Sequence, residues 1–210
     1  MRSSANVSFK GKKTYAIIVD GETEFRYFQM LLRNNRSLSV HLKPEIPQKK
    51  KLADQFENVK ESARHYDKVI WIVDLDVILA EDKKTKKGNK PAMVQFREYC
   101  EALKKEKNVM VIVNNPCFEY WLLLHFEPTT KFFSKCDDAI SQLKRHLPDY
   151  AKTEKFYTKQ DNDIYLMLRP RLKTAIANAK KIGSFSFDNP HTGMCEMFNF
   201  FNLDQINTAI

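Results

Sequence analysis

The stretch Val69-Ile70-Trp71-Ile72-Val73-Asp74-Leu75-Asp76 decides how this chain is read. An unbroken β-branched and aromatic run ends directly in two carboxylates. Near-continuous apolar runs of this length belong to parallel strands covered on both faces. In an open α/β sheet such strands deliver their carboxyl ends to one edge, where ligands bind. Asp74 and Asp76 are two positions apart, which on an extended backbone puts them on one face.

Upstream the pattern repeats. Tyr15-Ala16-Ile17-Ile18-Val19 runs into Asp20-Gly21-Glu22-Thr23-Glu24. Two acidic clusters at one sheet edge repel each other unless a cation lies between them. Oxygen donors of this kind suit Mg²⁺, with Mn²⁺ as a substitute. A metal held there positions water, polarises a phosphoryl oxygen and stabilises a leaving oxygen. The expected metal ligands are Asp20, Asp74 and Asp76. Glu22 and Glu24 are alternatives to Asp20 as the first-strand acid, and all five are candidate catalytic residues. The bland alternative for each is to cap the next helix.

Between and beyond these strands the periodicity alternates. Phe25, Phe28, Leu31 and Leu32 mark a helix over Thr23 to Arg33, capped by Thr23 or Asp20. Val40 to Ile46 alternates as a second strand, and Pro44 assigns it to an edge. Leu52, Phe56, Val59 and Ala63 mark a second helix. A charged loop over Glu81 to Lys90 precedes a helix from Pro91 to about Lys105, and Val109 to Val113 is the fourth strand. This alternation predicts a doubly wound α/β fold with a parallel four-stranded sheet flanked by helices. After Asn115-Pro116 the pattern is mainly helical: Cys117 to Phe126, Ala139 to His146, Ile164 to Ile182 broken at Pro170, and Met194 to Phe201. No linker or repeat interrupts it. One domain over 1–210 is expected, with an α/β core at 14–126 and a helical extension at 127–210.

Further candidates follow the fourth strand. In a parallel sheet Asn114 to Trp121 reaches the same edge, so Glu119 is a candidate ligand or water-orienting residue. His125 is read as a core histidine. The loop lysines Lys83, Lys84, Lys86 and Lys87, with Lys90 beside them, begin shortly after Asp76 and could hold a phosphate backbone. Lys152 and Lys159 lie in a later polar stretch, where a lysine near a divalent site can stabilise developing charge. Lys49-Lys50-Lys51 reads as a solvated surface run.

The net charge of +9 favours an anionic partner, with nucleic acid foremost. No stretch approaches the roughly 20 apolar residues of a membrane span. Met1 to Lys13 lacks the apolar segment of a signal peptide, so a cytoplasmic location is expected. Cys100, Cys117, Cys136 and Cys195 form no Cys-x-x-Cys pair and are expected to be reduced and structural.

These residues resemble the RloB-like family. The matching blocks are Asp20-Gly21-Glu22-Thr23-Glu24 with Tyr27-Phe28, then Asp74-Leu75-Asp76, then Asn115-Pro116-Cys117-Phe118-Glu119-Tyr120-Trp121-Leu122-Leu123-Leu124-His125-Phe126. Tyr150-Ala151-Lys152 and Asn189-Pro190 are weaker matches. The resemblance implies a Toprim-like core that binds Mg²⁺ through acids after the first and a later strand. It also implies cleavage of RNA or DNA in bacterial restriction or anti-phage defence loci, including abortive infection, with partner proteins of such a locus. Two other functions stay open. One is a non-catalytic nucleic-acid or partner-binding module. The other is a nucleotide phosphotransferase or phosphatase, ranked last because no phosphate-cradling glycine loop is present.

Overall fold

The computed structural model describes residues 11–47 and 51–208. The readings on Met1 to Lys10 and on Lys49 and Lys50 lie outside the described residues. The first half alternates β1 (Lys13–Ile18), α1 (Glu22–Asn34), β2 (Val40–Glu45), α2 (Leu52–Ala63), β3 (Lys68–Asp74), α3 (Leu75–Lys83), α4 (Ala92–Leu103) and β4 (Val109–Asn115). The second half is helical: α5 (Phe118–Leu124), α6 (Cys136–Leu143), α7 (Glu154–Tyr157), α8 (Ile164–Leu168), a 3₁₀ turn at Arg169–Arg171, and α9 (Leu172–Ile182). A two-residue strand β5 (Met194–Cys195) precedes α10 (Met197–Phe201) and α11 (Asp204–Asn207). Pro170 sits in the 3₁₀ turn that separates α8 from α9, where the helical pattern was expected to break.

The sheet order is β2-β1-β3-β4-β5. The first four strands are parallel, and β2, with Pro44, forms an edge as its proline requires. The expected four-stranded sheet gains a fifth strand, β5, antiparallel to β4. Its cause lies in a side chain. Asn115 Nδ2 donates to the Pro190 and Thr192 carbonyls at 2.8 and 2.7 Å, laying this tail segment along β4.

Strand alternation sorts the core into two layers. Tyr15, Ile17, Ile70, Ile72 and Ile112 face α1, α5 and the helical second half. Ala16, Ile18, Val69, Trp71 and Val73 face α2, α3 and α4. Both faces being covered, the strands read as unbroken apolar runs. Full burial of each large side chain stabilises by about 1.5–3 kcal/mol, and Trp71, Phe96, Trp121 and Phe118 have no solvent contact.

One local reading changes. β3 ends at Asp74, and α3 begins at Leu75. Asp76 therefore sits on the first turn of a helix, and the extended-backbone argument for a face shared with Asp74 does not hold. Leu75 and Ile78, three apart and buried, already carried that helical period.

Candidate functional site

The chain leaves β1 outward to β2 and returns to β3 on the other side of β1. The β1/β3 boundary is thus the topological switch point, where open α/β sheets bind ligands. Asp20 lies just past β1, and Asp74 is the last residue of β3. Three helices start at this edge after β1, β3 and β4, and their first turns carry Glu24, Asp76 and Glu119. The positive end of a helix dipole favours carboxylates there.

Each acid has its own support. Asp20 Oδ1 accepts from Gln55 Nε2 at 2.9 Å, and Gln55 Oε1 accepts from the buried Trp71 indole at 3.0 Å. Glu24 is buried and accepts from Thr23 Oγ1 at 2.9 Å. Asp74 Oδ1 accepts from Asn114 Nδ2 at 3.4 Å, across the register pair Asp74–Asn114. Asp76 Oδ2 accepts from the Cys136 backbone N–H at 3.2 Å. Glu119, fully buried, accepts from the Tyr150 hydroxyl at 2.8 Å and pairs with Lys152 Nζ at 2.9 Å. Tyr150 in turn meets the buried Tyr157 hydroxyl at 2.8 Å.

The acids act on one another. Burial pushes the Asp74 carboxyl well above its ordinary range, and the charges of Glu24, Glu119, Asp20 and Asp76 push it further. Burial, followed by Glu119, raises Glu24 to about 7. Asp76 is also raised, burial outweighing the two backbone N–H groups and Lys152 that oppose it. Burial pulls the Lys152 ammonium down, but Glu119, Asp74 and Glu24 outweigh it and the net shift is upward.

Not every expected residue joins this cluster. Glu22 is exposed and pairs with Arg26 at 3.2 Å along α1. Lys83, Lys84, Lys86 and Lys87 are exposed at the far end of α3, with Lys90 paired to Glu98. From Asp76 to Lys83 the helix rises roughly 10 Å at 1.5 Å per residue, so these lysines are not adjacent to the carboxylates. Lys159 is exposed beyond α7. His125 is buried, with Nδ1 3.0 Å from the Trp121 carbonyl oxygen, and burial lowers it to about 4. It belongs to the core, as read.

The cysteines correct the sequence reading. Cys117 and Cys136 are joined in a disulfide, their Cα atoms 5.6 Å apart, while Cys100 and Cys195 are free. They are nineteen positions apart in the chain. Folding brings the start of α5 against the start of α6, a proximity that spacing does not encode. Cys136 Sγ lies 2.9 Å from Glu119 Oε2 and 3.5 Å from Lys152 Nζ. Among the described residues, the three metal-competent side chains whose ligand atoms lie within 4.8 Å of one another are Cys117, Glu119 and Cys136, not Asp20, Asp74 and Asp76.

The RloB-like protein family model matches residues 15–200. The chain belongs to the RloB-like family. No curated protein and no solved structure matches it. The family match covers the α/β core and most of the helical half, so this RloB-like chain carries its acidic edge and the Tyr150–Lys152 segment within one matched region. No helix among the described residues is long and apolar enough to cross a membrane.

Gln55 and Tyr150 were missed as supports of the site. Gln55 had a legible signal: it falls at the position three after Leu52 and one before Phe56, a polar residue on an apolar helix face. Nothing in the sequence tied Tyr150 to Glu119.

Proposed function

We propose that this RloB-like chain is a metal-dependent nuclease that cleaves phosphodiester bonds of RNA or DNA in a bacterial defence system, using a Toprim-like acidic edge. The observation that carries the reading is the crowding of Asp20, Glu24, Asp74, Asp76 and Glu119 at the switch point, with Asp74 and Glu24 both pushed up by burial and then by neighbouring carboxylates. Carboxylates arranged to repel in this way are relieved by a hard divalent cation.

Asp20, Asp74 and Asp76 would hold Mg²⁺ or Mn²⁺, with Glu24 in place of the exposed Glu22 as the assisting first-strand acid. Such a cation supplies a Lewis acid for a phosphoryl oxygen and lowers the pKa of a bound water. The chain's own groups do the rest. Gln55 fixes the Asp20 carboxylate, and Asn114 fixes Asp74. Glu119, held by Tyr150, is placed to accept a proton from a water at the edge. Lys152, tethered to Glu119 and half exposed, can turn to a phosphate oxygen and stabilise charge as it develops. Lys84, Lys86 and Lys87, about a helix length away, would contact backbone phosphates farther along the strand.

The test is Mn²⁺ binding by calorimetry together with cleavage of labelled single- and double-stranded RNA and DNA. Cleavage that needs Mg²⁺ or Mn²⁺ and disappears in Asp74→Ala supports the reading. Salt-sensitive binding that survives Asp74→Ala, with no cleavage and no Mn²⁺ heat, would replace it with the non-catalytic binding module.

A further inference from the structure

The cysteine pair is the feature that the proposed nuclease does not use. Cys117 is fully buried ahead of α5, and Cys136 is half-buried at the start of α6. Their sulfurs and a Glu119 carboxylate oxygen fall within 4.8 Å of one another. As a disulfide, Cys136 Sγ has no proton to give to the Glu119 Oε2 it faces at 2.9 Å. In the dithiol form the same positions present two sulfur donors and one oxygen donor around a common point. Lys152 Nζ lies 3.5 Å from Cys136 Sγ.

Two thiolates with one carboxylate form a soft to borderline donor set, unlike the all-oxygen set of Asp20, Asp74 and Asp76. It suits Zn²⁺, which takes three protein ligands plus water where one position stays open. The half-buried Cys136 side leaves that opening toward solvent. The residues are nineteen apart in sequence, so the usual Cys-x-x-Cys spacing is absent and the set is assembled by the meeting of α5 and α6.

We propose that Cys117, Cys136 and Glu119, in the reduced chain, form a Zn²⁺-class site that is separate from the acidic edge and shares only Glu119 with it. Reduction uses a dithiol. One of its thiolates attacks Cys136 Sγ and releases the Cys117 thiolate; its second thiol then displaces the Cys136 thiolate, and the dithiol leaves as its own disulfide. Two electrons pass to the chain, and thiol protons leave to solvent when the cation binds. Disulfide and cation exclude each other, so the site exists only under reducing conditions. Its occupancy draws Glu119 toward the sulfurs and away from the acidic edge.

The experiment is a Co²⁺ titration of the full chain, reduced with a phosphine that is then removed, against the oxidised chain. Absorption is read at the near-ultraviolet thiolate-to-cobalt charge-transfer band. The expected result is a saturable band in the reduced chain, displaced by Zn²⁺ and absent from the oxidised chain. Cys136→Ser and Glu119→Gln should weaken binding by about tenfold or more, while Cys100→Ser leaves it intact. Lack of the band in the reduced chain overturns the proposal, as does its persistence in Cys136→Ser or in the oxidised chain. None of these readings depends on cleavage or on Mn²⁺ at the acidic edge, so either idea can fall alone.

Discussion

Lys152 Nζ lies 2.9 Å from Glu119 Oε1, setting a side chain 44% exposed against one 1% exposed. The carboxylate is placed by α5, and the ammonium comes from the loop before α7. The pair joins the helix that follows β4 to the segment before α7 at the candidate site.

Lys152→Met should therefore cost more than an ordinary surface charge. It leaves the Glu119 carboxylate buried with the Tyr150 hydroxyl but without its cation. A loss of about 1–3 kcal/mol is expected, read by chemical denaturation. The Lys152 pKa is raised in the folded state, so this contribution is complete below the ordinary value of 10.5 and fades only as pH rises beyond it. The difference between wild type and variant should be constant through neutral pH.

Glu24 predicts a loss of stability with rising pH that falls within the neutral range. Its folded pKa is raised from 4.5 to about 7. Below 4.5 it is protonated in both states. Between 4.5 and about 7 the unfolded chain ionises while the folded chain keeps its proton, so stability falls as pH rises through this window. In metal-free buffer wild type should lose on the order of 3 kcal/mol relative to Glu24→Gln between pH 5 and pH 8. Denaturant melts of both proteins at the two pH values check it, and saturating Mn²⁺ should reduce the loss.

Asp74→Asn should exchange ligand response for stability. It removes the charge that Glu24, Glu119, Asp20 and Asp76 all oppose, so the metal-free variant should melt above wild type at pH 8. Added Mn²⁺ stabilises a chain that binds it only when folded. Thermal melts with and without Mn²⁺ should show an upward shift in wild type and little or none in the variant.

Gly193→Ala tests the latch of the fifth strand. A Cβ at Gly193 would overlap the Lys131 carbonyl, where no side chain fits without moving backbone. The expected cost is about 1–3 kcal/mol, measured by denaturation, with loosened hydrogen-exchange protection at Met194 and Cys195.

The parallel strands were legible because their signal is local. Burial on both faces demands unbroken apolar runs, and Val69 to Val73 can satisfy that demand alone. Pro44 likewise announced an edge through its missing N–H. Helix α3 was harder, because Leu75 and Ile78 follow the strand without a break, and Asp76 was assigned the period of the strand before it.

The sequence by itself determined the α/β alternation, the delivery of Asp20, Asp74 and Glu119 to one sheet edge, and membership of the family that its motifs resemble. Each of these rests on neighbours in the chain or on the polarity of parallel strands. Tertiary structure alone decided which acids are buried, that Glu22 turns to Arg26, that the loop lysines stand a helix length away, and that Cys117 meets Cys136. Those outcomes depend on how helices from distant segments pack against one another, and a residue's spacing in the chain does not carry that information.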